Sequence, residues 1–72
     1  MYKFSTKEKQ IAPRMPFRVM AKDENGKIKG EYNGYFKPER DEVTLYPVRG
    51  HRLIYGVLTP CTIDASMLVK ED

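Results

Sequence analysis

Residues 17–36 read Phe-Arg-Val-Met-Ala-Lys-Asp-Glu-Asn-Gly-Lys-Ile-Lys-Gly-Glu-Tyr-Asn-Gly-Tyr-Phe. Two alternating runs flank a turn-forming centre. Before it, Phe17, Val19 and Ala21 share one parity and Arg18, Met20 and Lys22 the other. After it, Ile28, Gly30, Tyr32, Gly34 and Phe36 share one parity, and Lys27, Lys29, Glu31, Asn33 and Tyr35 the other. Period-two alternation is the signature of a strand with one oily face and one wet face. Asn25-Gly26 supplies the positive φ angles of a type I′ turn, so the stretch reads as a β-hairpin. A two-residue loop sets Asp23 opposite Ile28, Ala21 opposite Gly30, Val19 opposite Tyr32 and Phe17 opposite Gly34. A three-residue loop puts Lys22 opposite Ile28 and spoils the oily face, so it is disfavoured. A four-residue loop keeps the face intact.

Working outward, Lys37 to Asp41 is a charged turn around Pro38. Glu42–Val48 reads as a third strand with Pro47 near its end. Arg49-Gly50 offers a second tight turn. Arg52–Thr59 is a fourth strand, apolar on both parities and so expected to be the most buried. Beyond Pro60, Cys61–Ile63 continues as a bent fifth strand. Asp64 to Leu68 has the length of one helical turn with Asp64 as its cap. Lys70-Glu71-Asp72 reads as a solvated tail.

On the other side of the hairpin, Met1–Pro16 leaves three options: a short strand at Tyr2–Phe4, a frayed helical turn at Thr6–Gln10, or a basic arm. Pro13 and Pro16 rule out a helix across Ala12–Phe17 and favour an extended lead-in. The Pro13-Arg14-Met15-Pro16 spacing also matches a polyproline ligand. The expected organisation is an extended or flexible basic arm over 1–16 and a single β domain over 17–72. The expected fold is all-β with one short helical turn. It is a small antiparallel barrel of four to five strands, SH3-like or OB-type in layout, because closing the sheet removes its sticky edges.

The chain has 72 residues, enough for one domain of marginal core. A small domain without staples often gains stability from a partner, so a homodimer belongs among the options. One cysteine, Cys61, excludes an internal disulfide, and one Cys with one His cannot build a four-ligand zinc site. No metal or cofactor is expected. No apolar run reaches the ~20 residues of a membrane-spanning helix, and the first ten residues lack the apolar core of a signal peptide. The expectation is a cytoplasmic protein that does not engage membrane.

Catalytic chemistry finds little support. Ser5 and Ser66 stand in no elbow motif with His51. Cys61 sits among apolar residues, where a thiol behaves as a small hydrophobe. Asp23-Glu24 and Asp41-Glu42 are neighbours in sequence, so on strands they point to opposite faces and make no acid–base pair. The protein is read as a non-enzyme.

Basic and aromatic residues form the one functional constellation. Residues 1–30 carry eight Lys/Arg against three acids, whereas residues 31–72 carry five against seven. The wet face of the hairpin presents Arg18, Lys22, Lys27 and Lys29, with Tyr35 further along. In the two-residue-loop register Lys22 faces Lys29, a like-charge pair that an anionic ligand would relieve. Arg49, His51 and Arg52 extend the patch only if the two turns lie on the same end. The leading expectation is a binding module that lays this basic face on DNA or RNA, with Tyr35 or Tyr46 stacking on a base. The alternative is a protein-interaction module, a small regulator or inhibitor gripping a protein partner through surplus aromatics.

Overall fold

A computed structural model describes residues 2–48 and 60–71. Its strands are β1 (Lys3–Thr6), β2 (Phe17–Lys22), β3 (Ile28–Lys37), β4 (Glu42–Pro47), β5 (Cys61–Asp64) and β6 (Leu68–Lys70). A 3₁₀ turn, Ala65–Met67, links the last two. The strands form one sheet in the order β5-β4-β3-β2-β1-β6. The sheet curls into a half-barrel, so the all-β, barrel-like expectation holds. Two details differ from it. Six strands are present among the described residues, and β1 and β6 run parallel, which makes the sheet mixed. The parallel pairing follows from the connection: a three-residue turn carries the chain from the β5 edge of the curl to the β6 edge. Of the options for residues 1–16, the strand is adopted, at Lys3–Thr6, between β2 and β6.

The hairpin keeps its expected register along most of its length: Phe17 pairs with Gly34, Val19 with Tyr32 and Ala21 with Gly30. The turn does not. Gly26 alone has positive φ in this loop, at 80°, so Asn25 is not in the type I′ conformation. Gly26 N–H donates to Asp23 C=O at 3.0 Å, and Asp23 N–H donates to Lys27 C=O at 3.0 Å. The loop is therefore the disfavoured three-residue one, and Lys22 does lie opposite Ile28. A register shift at Ala21/Lys22 absorbs the slip: Lys29 is the extra residue, and the oily face resumes at Gly30. The Lys22–Lys29 opposition expected from a two-residue loop is thus absent. Asp23 secures the turn, since its Oδ1 accepts the Asn25 and Lys27 backbone N–H groups at 2.9 Å each.

The inner face carries the core. Phe17, Val19, Ala21, Tyr32, Val43, Leu45 and Ile63 are buried, with Phe4, Ile11, Phe36 and Leu68 packed against them. Gly34 is required by this packing, because a Cβ there would meet Phe17 Cζ at 2.9 Å and Val19 and Val43 methyls at 3.1 Å. Phe4 meets Tyr32 edge-on, ring centroids 6.0 Å apart. The strand expected at Arg52–Thr59 lies outside the described residues.

Three further expectations change. The Asp64 side chain makes no cap bond to the 3₁₀ turn; instead Ala65 N–H donates to Asp41 C=O at 2.9 Å. The solvated tail is partly structured: Lys70 ends β6, and Glu71 N–H donates to Thr6 C=O at 2.7 Å. The Pro13–Pro16 segment is not a polyproline stretch. Met15 N–H reaches Ala12 C=O at 3.4 Å across a β-turn, and Arg14 has φ 63°.

Candidate functional site

Strand pairing fixes which side chains share the outer face. Across the sheet the outward rows are Lys37–Glu42–Asp64, Tyr35–Thr44–Thr62, Arg18–Asn33–Tyr46, Ser5–Met20–Glu31 and Lys3–Lys22–Ile28. The two middle rows hold aromatic and uncharged polar residues, apart from Arg18. Charge collects toward the two ends.

The cations expected to form a basic hairpin face are mostly engaged. Arg18 Nη1 bonds Glu31 Oε2 at 2.6 Å. Lys22 Nζ donates to both Glu71 carboxylate oxygens at 2.8 Å. Lys29 Nζ lies 4.0 Å from Asp23 Oδ2. Lys27 is exposed beside the turn. Arg49, His51 and Arg52 lie outside the described residues. The Lys22 ammonium holds the Glu71 carboxyl below its usual range, with burial opposing. Asp23 is also lowered, first by the backbone N–H of Lys27, with burial opposing and Asn25, Lys29 and Lys27 adding smaller effects.

Tyr35 has a different setting from the one its parity alone suggested. It stands diagonally from Tyr46 across β3 and β4, and the two rings meet edge-to-face with centroids 5.6 Å apart at 81°. Such a pair contributes about 0.5–1.5 kcal/mol beyond burial, which favours this mutual orientation of the rings. Tyr46 remains 48% exposed. Beside them opens a cleft of about 530 Å³ lined by Arg14, Asn33, Tyr35, Phe36, Lys37, Glu39, Thr44 and Tyr46. That volume lies in the range of small-ligand sites. The Thr44 hydroxyl oxygen is out of solvent reach and has no hydrogen-bond partner among the described residues.

Two cations on this rim, Arg14 and Lys37, are exposed and make no ion pair among the described residues. Arg14 comes from the loop before β2, because its backbone N–H donates to Phe36 C=O at 3.3 Å and docks the turn onto β3. Lys37 ends β3 at the mouth of the Pro38 turn, where Arg40 N–H reaches its carbonyl at 3.2 Å. Of the residues singled out for nucleic-acid contact and among the described residues, the structure brings the two rings, Tyr35 and Tyr46, into this cleft. Arg14, Asn33, Lys37 and Thr44 were outside the expected set. The alternation of β3 and β4 carried the signal for Asn33, Thr44 and Tyr46, and Pro13 before Arg14 carried a turn signal.

No cluster of three or more His, Cys, Asp or Glu able to hold a metal occurs among the described residues. Cys61 is half-buried and its thiol is pushed up by burial, which keeps it from the nucleophilic thiolate. No helix among the described residues is long and apolar enough to cross a membrane. In comparisons with family models, curated proteins and solved structures, no family model matches and no curated protein or solved structure matches significantly.

Proposed function

We propose that the protein is a non-catalytic binding module that contacts nucleic acid at the Tyr35–Tyr46 cleft. The observation that carries this reading is the meeting of a half-exposed aromatic pair with two cations, Arg14 and Lys37, that pair with no carboxylate among the described residues. Bases stack on rings whatever their identity, and phosphates seek cations. Asn33 and Thr44 add polar groups within the same lining. The hairpin cations take a secondary part, since a phosphate must displace Glu31 from Arg18 or Glu71 from Lys22. Lys27 is the hairpin cation best placed for long-range attraction, as it is exposed near the turn.

The test is fluorescence anisotropy of a labelled oligo-thymidylate or oligo-uridylate against salt. Two phosphates neutralised on a single strand give a slope of log affinity on log salt of about −1.4. Tyr46→Ala should weaken binding by about 1–3 kcal/mol, the contribution of one stacked base. Absence of salt-sensitive binding to either oligomer would contradict the reading.

A protein partner is the second reading, and one observation favours it: the outer face carries charges of both signs. Lys3, Arg18, Lys22 and Lys37 share that face with Glu31, Glu42 and Asp64, and Glu71 engages Lys22. An uncharged aromatic centre with a mixed-charge rim is the anatomy of a protein interface. A stoichiometric protein partner that survives nuclease and moderate salt, and is lost in Tyr46→Ala, would favour it.

A further inference from the structure

Arg14 occupies a backbone position that suits glycine. In the turn Ala12-Pro13-Arg14-Met15, Pro13 fills the second place, where its fixed φ is welcome. The third place has positive φ in a type II turn, and Arg14 adopts it at 63°. An L side chain in this region crowds the following carbonyl. The turn's own geometry therefore gives no reason for an arginine: glycine would make the same Met15-to-Ala12 bond and the same Arg14-to-Phe36 backbone bond without strain. What an arginine adds is a guanidinium on the wall of the Tyr35–Tyr46 cleft. Strained residues of this kind gather at ligand clamps, where the surrounding structure holds them in place.

The geometry points to Arg14 as the phosphate clamp of a single-stranded nucleic acid, with one unstacked base against Tyr46. This rests on the nucleic-acid reading above and deepens it in two respects. The first is the strand state. Stacking on Tyr46, which is 48% exposed, takes a base unstacked from its neighbours, and a single strand offers one at lower cost than a duplex. The second is the charge. Arg14 and Lys37 stand against Glu39 on the same rim, so the site suits one or two phosphates rather than a long track. A planar guanidinium can bind phosphate through two parallel N–H donors, which a lysine cannot do.

The experiment compares wild type, Arg14→Gly and Arg14→Lys in the full chain. Thermal melts are recorded, together with anisotropy of labelled oligo-thymidylate, its duplex with oligo-adenylate, and poly-glutamate. Arg14→Gly should hold or raise the unfolding midpoint, since it relieves the positive φ, yet weaken oligo-thymidylate binding roughly tenfold. Its salt slope should fall by about 0.7, one phosphate contact on a single strand. Arg14→Lys should keep the slope and lose less affinity. Duplex should bind more weakly than single strand. If wild type binds oligo-thymidylate and Arg14→Gly binds it equally well, the clamp is overturned while the nucleic-acid reading stands. Equal binding of the duplex overturns the single-strand assignment. If wild type ignores both nucleic acids, or poly-glutamate binds as tightly through Arg14, the nucleic-acid reading falls with it.

Discussion

Single residues decide whether the inner face closes. Gly34 sits where β2, β3 and β4 press together, and its missing Cβ is the space that Phe17, Val19 and Val43 fill. Gly34→Ala should therefore lower stability by about 1–3 kcal/mol, as overpacking does. Urea denaturation checks this, and an unchanged midpoint would show that the three neighbours yield freely. Tyr32 is the largest fully buried side chain among the described residues, and burial pushes its phenol up to about 12, with Cys61 and Tyr2 adding to the effect. The unfolded phenol ionises near 10. The sign follows: the neutral phenol's contribution is intact below pH 10 and is lost as pH rises through about 12. Tyr32→Phe should flatten that alkaline decline in a pH series of melts. At this scale the sequence was partly legible. Parity placed Tyr32 and Gly34 on the oily face, but the near contact with Phe17 Cζ depends on three strands meeting, which parity does not encode.

The hairpin shows what alternation can and cannot specify for an element. It fixed the face, and thereby the pairing of Phe17 with Gly34, Val19 with Tyr32 and Ala21 with Gly30. It could not fix the loop, because an extra residue at Lys29 lets a three-residue turn and the oily face coexist. The charged turn at Pro38, β4, β5 and the 3₁₀ turn were legible from turn residues and β-branched runs. β6 was not. Three residues are too few to show alternation, and the partners of β6 are Phe4, Ser5 and Thr6 at the far end of the chain. Its anchor was equally hidden, since Lys22 and Glu71 are 49 residues apart. That anchor gives the element an acid sensitivity. The ionised Glu71 contributes above the unfolded carboxyl pKa of 4.5, and the contribution is lost as pH falls through the lower folded value. Amide exchange of β6 should accelerate below that range before the rest of the sheet, and Glu71→Gln should show the faster exchange already at neutral pH. Exchange of β6 unchanged in the variant would mean that the backbone pairing alone holds the strand.

Across the whole molecule, the half-barrel sorts side chains into three zones: a buried inner face, an aromatic and polar band on the outer face, and margins that carry charges of both signs. Local sequence could report the excess of cations in the first thirty residues but not their partners. Pairing of Lys22 to Glu71 needs distant strands to align, whereas Arg18–Glu31 and Lys29–Asp23 form within the hairpin itself; Arg14 and Lys37 are exposed cations without an ion pair among the described residues. The ring pair was half legible: Tyr35 and Tyr46 were both noted as aromatic, and their contact needs the β3–β4 register. Docking of nucleic acid on the Tyr35–Tyr46 cleft, as proposed, is open to a residue-by-residue test. The most direct measurement is an amide chemical-shift titration of the isotope-labelled protein with oligo-thymidylate. Shifts concentrated at Arg14, Asn33, Tyr35, Lys37, Thr44 and Tyr46, and fading as salt rises, are the predicted result. Shifts confined to Arg18, Lys22, Lys27 and Lys29, or none at all at low salt, would contradict it.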